Sequence, residues 1–310
     1  MLKVVLDTSR RLIVLKIITM TTTINTPTFR NLSSNDLSQM YAAFKNAFLN
    51  YFVPFELSEE HFRKKFVEKL SINFGLSAGA FYGQRLVGFV FTSVNRYEGL
   101  LTAYNGGTGV IPKYRGNDIT EQLYNYLIPK FRNENIKQCI LEVLVENKAA
   151  IKVYQNCGFS ISRNFKCYKL NPAISVSDKV NIEVRIQRVP SPDWKIYTKF
   201  FDYIPCYLDS RHMIENNLSN EVIVEATLGD MTLGYAIFQP DSGRISQIAV
   251  NQDHRKEGIG SMLLRYIYEN SFNKLLTMIN VLEEAETIQH FLTKSGFENE
   301  LNQYEMRLLL

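Results

Sequence analysis

One strand–loop–helix passage occurs twice in this chain, and that repeat constrains the fold more than any other feature. An apolar run from Ile245 to Val250 leads into Arg255-Lys256-Glu257-Gly258-Ile259-Gly260. Helix-type spacing of Ile259, Met262, Leu263, Tyr266 and Ile267 follows. Earlier, Leu100 to Ile111 leads into Arg115-Gly116-Asn117-Asp118-Ile119-Thr120. The flanks repeat as well: Gly158-Phe159 matches Gly296-Phe297, and Leu86-Val87-Gly88 matches Thr232-Leu233-Gly234. All these offsets are roughly 140 residues, which suits a duplicated domain better than a solenoid. A glycine turn between strand and helix leaves backbone N–H groups open at the helix N-terminus, where the dipole favours an anion. The passage therefore reads as a pyrophosphate cradle, intact at 255–260 and altered at 115–120.

At 310 residues, 45% of them hydrophobic, the chain can bury two cores of ordinary size. The net charge of +4 is spread without a polybasic block, so neither a nucleic-acid nor a membrane-surface partner is indicated. The four cysteines show no CxxC spacing and the four histidines no ligand spacing, so no metal is expected. Such cysteine usage is that of reduced thiols in a cytoplasmic protein. No apolar run is long enough to span a bilayer. Residues 1–27 read as an extension and an over-extended start, with Met20 the initiator; a docked extra element is the alternative.

Two α/β domains of one element order are expected, each a mixed sheet flanked by helices: 28–171 and 182–310, joined by a polar linker at 172–181. The first half reads as a strand at Phe29 to Leu32, a helix to about Leu49 and a helix from Ser58 to about Leu70. A hairpin at Gly83-Gln84 and the strand from Leu100 come next. Helix 116–134 is shortened or kinked by Pro129. A strand at Lys137 to Val145, a helix at Asn147 to Asn156 and two short strands ending by Leu170 close the unit.

At this point the residues resemble the GCN5-related N-acetyltransferase (GNAT) superfamily, present twice. Its signature is Arg or Gln, two residues, Gly, one residue, then Gly or Ala, and Arg255, Gly258 and Gly260 meet it in full. The approach Thr108 to Gly116 and the closing Asn147, Tyr154, Gly158-Phe159 resemble the family in the first half. The resemblance implies N-acetyl transfer from acetyl-CoA, with the cofactor held by Ile248, Val250, Arg255, Lys256, Glu257, Gly258, Ile259, Gly260 and Ser261. In the first half it implies Val110, Arg115, Gly116, Asn117, Ile119, Thr120 and Asn147 as cofactor contacts, and Tyr154 as the acid that protonates the CoA sulfur.

Each copy departs from the pattern. Asp118 stands where the family places glycine and adds a carboxylate to an anion site. In the second half, Leu292 replaces the tyrosine and Ala285 the asparagine; Tyr266, Tyr268 or Tyr304 are the substitutes to test. Glu142 and Glu98 are candidate bases, each equally readable as a solvated surface carboxylate. Tyr104 and Asn105 are placed to orient an acceptor. The cluster Phe44, Phe48, Tyr51, Phe52 and Phe55 reads as core or as a lining for an apolar amine. The expected acceptor is the primary amine of a small molecule. The alternatives are a decayed acyl-CoA-binding protein and a protein N-acetyltransferase. A monomer with paired halves or a homodimer is expected.

Overall fold

A computed structural model describes residues 26–49, 57–171 and 183–310. The extension, the linker, Tyr51, Phe52 and Phe55 lie outside the described residues. The first half runs β1 (Thr28–Asn31), α1 (Leu37–Ala47), α2 (Glu59–Arg63), β2 (Ala78–Tyr82), β3 (Arg85–Tyr97), β4 (Leu100–Val110), α3 (Ile119–Asn133), β5 (Gln138–Leu144), α4 (Lys148–Asn156) and β6 (Ser160–Leu170). The second repeats it with β7 (Arg185–Val189), α5 (Trp194–Tyr197), α6 (Arg211–Glu215), β8 (Val222–Leu228), β9 (Met231–Gln239), β10 (Arg244–Val250), α7 (Ile259–Asn270), β11 (Thr277–Leu282), α8 (Glu286–Lys294) and β12 (Phe297–Leu309).

Local chemistry explains the element ends. Ser33 and Asp36 form a reciprocal capping box ahead of α1. The Arg30 guanidinium on Asp36 holds that carboxyl down at about 2. Met40, Ala43, Phe44 and Ala47 give α1 its buried stripe. The helix begun by α2 tightens no further but widens into a π turn at Lys64–Lys69. Helix α3 continues through Pro129 to Asn133, so the proline does not shorten it. Pro129 and Asn125 are exposed, so water serves the carbonyl that the missing N–H frees.

The expectation of two closing strands fails in an informative way. Residues 160–170 form a single strand, β6, because no glycine or proline interrupts them. Nor does each half have its own sheet. One sheet of twelve strands runs β1-β2-β3-β4-β5-β12-β6-β11-β10-β9-β8-β7. Strand β12 pairs antiparallel with β5 (Gln303 opposite Leu144, Leu309 opposite Gln138) and with β6 (Phe297 opposite Leu170). Strand β6 in turn pairs with β11. The halves have exchanged their last strands, and the order is a palindrome about the β12–β6 pair. The cores follow: Tyr207, Met213 and Met306 of the second half join the first-half core, and Tyr168 and Leu170 join the second.

A charged network is buried along the exchange. The Glu305 side chain, fully out of solvent, accepts from Ser162 Oγ at 2.7 Å, from Arg307 at 3.1 Å and from Arg163. Arg307 also binds Glu98 at 2.8 Å.

Candidate active site

Each half holds one parallel strand pair, and each pair parts. Strands β4 and β5 are in register only from Thr102 to Tyr104, and β10 and β11 only at Arg244 opposite Thr277. Beyond those points the carbonyls and amides diverge, and a V opens in the sheet. On β11 the opening is widened by Asn280, a left-handed residue (φ 57°) in an irregular stretch between Met278 and Val281.

At the second parting lies a cleft of about 1080 Å³. It draws walls from both faces of the sheet, because adjacent β9 residues serve opposite cores: Ala236 and Phe238 pack under α7, Tyr235 and Ile237 under α5. One mouth is formed by residues 254–261 and by α8, including His290, Phe291 and Lys294. The deep end is formed by Tyr203, Cys206, Asp209, Tyr235, Gln247 and Asn280.

The structure brings Ile248, Val250, Arg255, Lys256, Glu257, Gly258, Ile259, Gly260 and Ser261 together on this cleft. The first intrahelical bond of α7 runs from Met262 N–H to Gly258, so the amides of Ile259, Gly260 and Ser261 have no helical acceptor. A Cβ at Gly260 would meet the Phe291 ring at 3.0 Å, so glycine lets that ring pack close to the loop. The signature arginine is turned elsewhere. Arg255 Nε donates to Val250 O (3.2 Å) and Nη2 to Asp202 (3.0 Å) and Phe200 O (3.5 Å). Arg115 repeats this, with Nε on Val110 O (3.1 Å) and Nη2 on Ala47 O (2.8 Å). In both copies the arginine is a strut that ties loop to strand end and to the first helical region.

The two loops also share a backbone with the glycine moved. Gly116 and Asp118 are left-handed (φ 77° and 51°), as are Lys256 and Gly258 (φ 67° and 89°). Asp118 is exposed and points to water. Asn117 bonds back to Tyr114 and Arg115, while Ile119 is buried and Thr120 half-buried on α3. On α3, Tyr124 is wholly buried against β4. Its hydroxyl accepts from Asn105 Nδ2 (2.8 Å), which also donates to Thr108. Tyr154 is buried against Tyr124 and Phe159. Asn147 accepts from Ala150 N–H and caps α4. Neither lines the cleft described above.

The deep end is a polar relay. Tyr235 donates to Gln247 (2.8 Å), Gln247 to Asp209 O (2.6 Å), Arg244 to the Asp209 carboxylate (2.6 Å) and Cys206 S–H to its other oxygen (3.3 Å). Burial lifts the Asp209 carboxyl, opposed by the charges of Arg244 and Lys69. Burial raises the Tyr203 and Cys206 groups too. Tyr203 makes no side-chain hydrogen bond to another described residue and faces the cleft. Leu292 is core, and Tyr266, Tyr268 and Tyr304 do not line the cleft. Tyr203, Cys206, Asp209 and Asn280 escaped the sequence reading; the aromatic stretch Trp194 to Tyr207, interrupted by Pro205, was the only signal.

Glu142 is not a surface carboxylate. Tyr104 donates to its Oε2, and Oε1 is buried without a partner among the described residues. Burial pushes its carboxyl up to about 7. The folded chain thus holds a proton that the unfolded chain releases near 4.5, so stability falls as pH rises through this window. Glu142→Gln should stabilise the chain at pH 8 by up to about 2–3 kcal/mol and give no advantage at pH 5. Urea unfolding at both values checks this; an equal gain at both would point to packing instead.

A model of the acetyltransferase (GNAT) family matches residues 38–159, and one of the acetyltransferase (GNAT) domain matches residues 218–299. The chain belongs to the GNAT family, as a tandem of two domains. This tandem GNAT chain superposes on the tandem GNAT protein from the clavulanic acid biosynthesis pathway with a TM-score of 0.67 at 14% identity, covering 91% of this chain and 98% of that one. A GCN5-related N-acetyltransferase from Sphaerobacter thermophilus gives 0.68 at 13% identity, covering 91% and 95%. In sequence, N-alpha-acetyltransferase 30 of Saccharomyces cerevisiae is 35% identical over 71 residues, 23% of this chain and 40% of that protein. Its counterpart in Schizosaccharomyces pombe is 27% identical over 88 residues, 28% and 59% of the two. The chain thus spans less than two thirds of either relative. GNAT enzymes generally use acetyl-CoA and act on amines. Among the described residues no helix is long and apolar enough to cross a membrane.

Proposed function

We propose that this tandem GNAT protein transfers acetyl from acetyl-CoA to the primary amine of a small molecule, in the second-half cleft. The observation that carries this is one continuous cleft with the glycine loop and its open amides at one end and a buried polar relay at the other. The open amides of 259–261, with Lys256 and Lys294 beside them, suit a pyrophosphate. Acetyl-CoA is a co-substrate, and the amine approaches from the Tyr203–Asp209 side. As the C–N bond forms and the C–S bond breaks, Asp209 takes the amine's proton and the Tyr203 hydroxyl supplies one to the thiolate. With the cysteines either engaged or away from the thioester end, transfer is direct. The first half, whose Tyr154 lies buried against Tyr124 and Phe159, shapes and supports.

A panel of small primary amines, assayed by release of CoA thiol, tests this. Tyr203→Phe should lower kcat by about 10²-fold with acetyl-CoA affinity kept, and Tyr154→Phe should change it less than about 3-fold. The reverse pattern would move the chemistry to the first half and to Tyr154. The protein N-acetyltransferase reading has the names of the two sequence relatives in its favour. Turnover of peptides with free N-termini and of no small amine would establish it, and tight acetyl-CoA binding without turnover would favour the binding-protein reading.

A further inference from the structure

Beyond the deep end of the cleft lies a second cavity, of about 330 Å³, the volume of a small-ligand pocket. Both halves build it. Arg96, Tyr97 and Glu98 come from the end of β3 and the turn after it, and Trp194, Phe201 and Arg211 from the second half. Phe201, Pro205 and Gln247 line both cavities and lie between them, so a ligand that spans the two must move the Gln247 side chain aside. The first half holds Pro205 and its neighbours in place. Tyr97 donates to Pro205 O at 2.7 Å and Arg163 to Ile204 O at 3.1 Å. The Tyr207 ring stacks on Tyr104, 4.3 Å apart and 4° from parallel.

The charges of this cavity do not cancel. Glu98 is paired with Arg307 at 2.8 Å and with Arg163 at 3.8 Å. Glu215 accepts from Arg211 Nε at 2.8 Å and from Trp194 Nε1 at 2.9 Å. His212 is bonded to Asn216, and burial lowers its pKa, which keeps it neutral near pH 7. Arg96 donates to Gly99 O at 3.3 Å and forms no ion pair among the described residues. What remains is one planar guanidinium, Arg96, on a cavity that Trp194, Tyr97 and Phe201 also line, while the paired Arg211 lies over the Trp194 ring at 5.9 Å. That combination suits a carboxylate on an aromatic body, since a guanidinium fork matches a carboxylate's two oxygens.

We infer that the second cavity receives the far end of the acceptor, an aromatic carboxylate, while its amine reaches past Gln247 into the main cleft. This rests on the acetyl-transfer reading above and deepens it to an acceptor class, and it gives the first half a part in choosing that acceptor. Trp194 is the chain's single tryptophan, so its fluorescence reports the cavity without any turnover. The full chain would be titrated with 4-(2-aminoethyl)benzoate and with 2-phenylethylamine, which differ only in the carboxylate. Both should give saturable changes, the carboxylate binding about 10-fold tighter. Arg96→Gln should erase that difference and leave the calorimetric Kd of acetyl-CoA unchanged. High salt should narrow the difference, because Arg96 is exposed.

Equal binding of the two amines, or a preference that survives Arg96→Gln, would overturn the inference. So would acetylation of both amines with no change at Trp194, an outcome that leaves the acetyl-transfer reading standing. Saturable, Arg96-dependent fluorescence without acetylation would do the opposite: the cavity would keep its ligand class and the transfer reading would fall.

Discussion

Replacing Glu305 by alanine is expected to lower the free energy of unfolding by about 3 kcal/mol, the cost of breaking a buried ion-pair network by removing one partner. Its carboxylate is wholly out of solvent and is shared by Ser162, Arg163 and Arg307. Arg163 and Arg307 are themselves mostly shielded from water, and the truncation leaves Glu98 as the one carboxylate the two guanidinium groups share among the described residues. Glu300→Ala is the control, because its pair with Lys169 is half exposed on both sides and is worth about 0–1 kcal/mol. Urea unfolding at neutral pH compares the two. The Glu305 carboxyl is held below its usual value: burial works against this, and the bonds from Arg163, Ser162 and Arg307 outweigh it. For a depressed group the stabilisation is present above the unfolded-state pKa and is lost as pH falls through the folded one. The gap between wild type and variant should therefore shrink in acid. A midpoint shift no larger than that of Glu300→Ala would mean that the exchanged strands are held by backbone pairing and packing alone.

Gly258→Asp should weaken acetyl-CoA binding by about 10²-fold. A unit charge about 5 Å from a phosphate costs roughly 3 kcal/mol at an effective dielectric near 20. The chain itself supplies the precedent that separates charge from fold: Asp118 occupies the equivalent left-handed position at φ 51°, exposed, at the head of α3. The same residue at 258 can keep the loop's backbone while placing its carboxylate at the mouth of the cleft. Gly258→Asn has nearly the same shape without the charge and should cost less than about 5-fold. Calorimetric titration of acetyl-CoA into the three proteins measures it. Unchanged affinity in Gly258→Asp would place the working cradle in the first half, where Asp118 is exposed.

Much of the architecture was legible because it is encoded locally. The 3-and-4 spacing of Met40, Ala43, Phe44 and Ala47 writes a helix face, and the run at Leu86 to Phe91 writes a fully buried strand. The repeated loop with its signature arginine marked both copies, and seven of its positions plus Ile248 and Val250 do converge on the cleft. What the motif did not announce is a second use of its arginine: Arg255 and Arg115 bind backbone carbonyls and, at Arg255, Asp202 through Nε and Nη2. Glu142 looked like a surface carboxylate because its strand position says nothing of Tyr104, thirty-eight residues away.

By itself the sequence determined that there are two copies of one α/β unit, where each loop turns, and that each copy lacks something the other keeps. Those properties depend on residues within a turn or two of each other. Only the tertiary structure decided that β6 and β12 change places and that Tyr203, Cys206, Asp209 and Asn280 meet across the parted strands. It also decided that Arg96 of one half and Trp194 of the other line one cavity. The reason is that strand partnership and site assembly depend on contacts between segments about a hundred residues apart. An alternating apolar strand such as β12 carries its own face preference but not the identity of its neighbour.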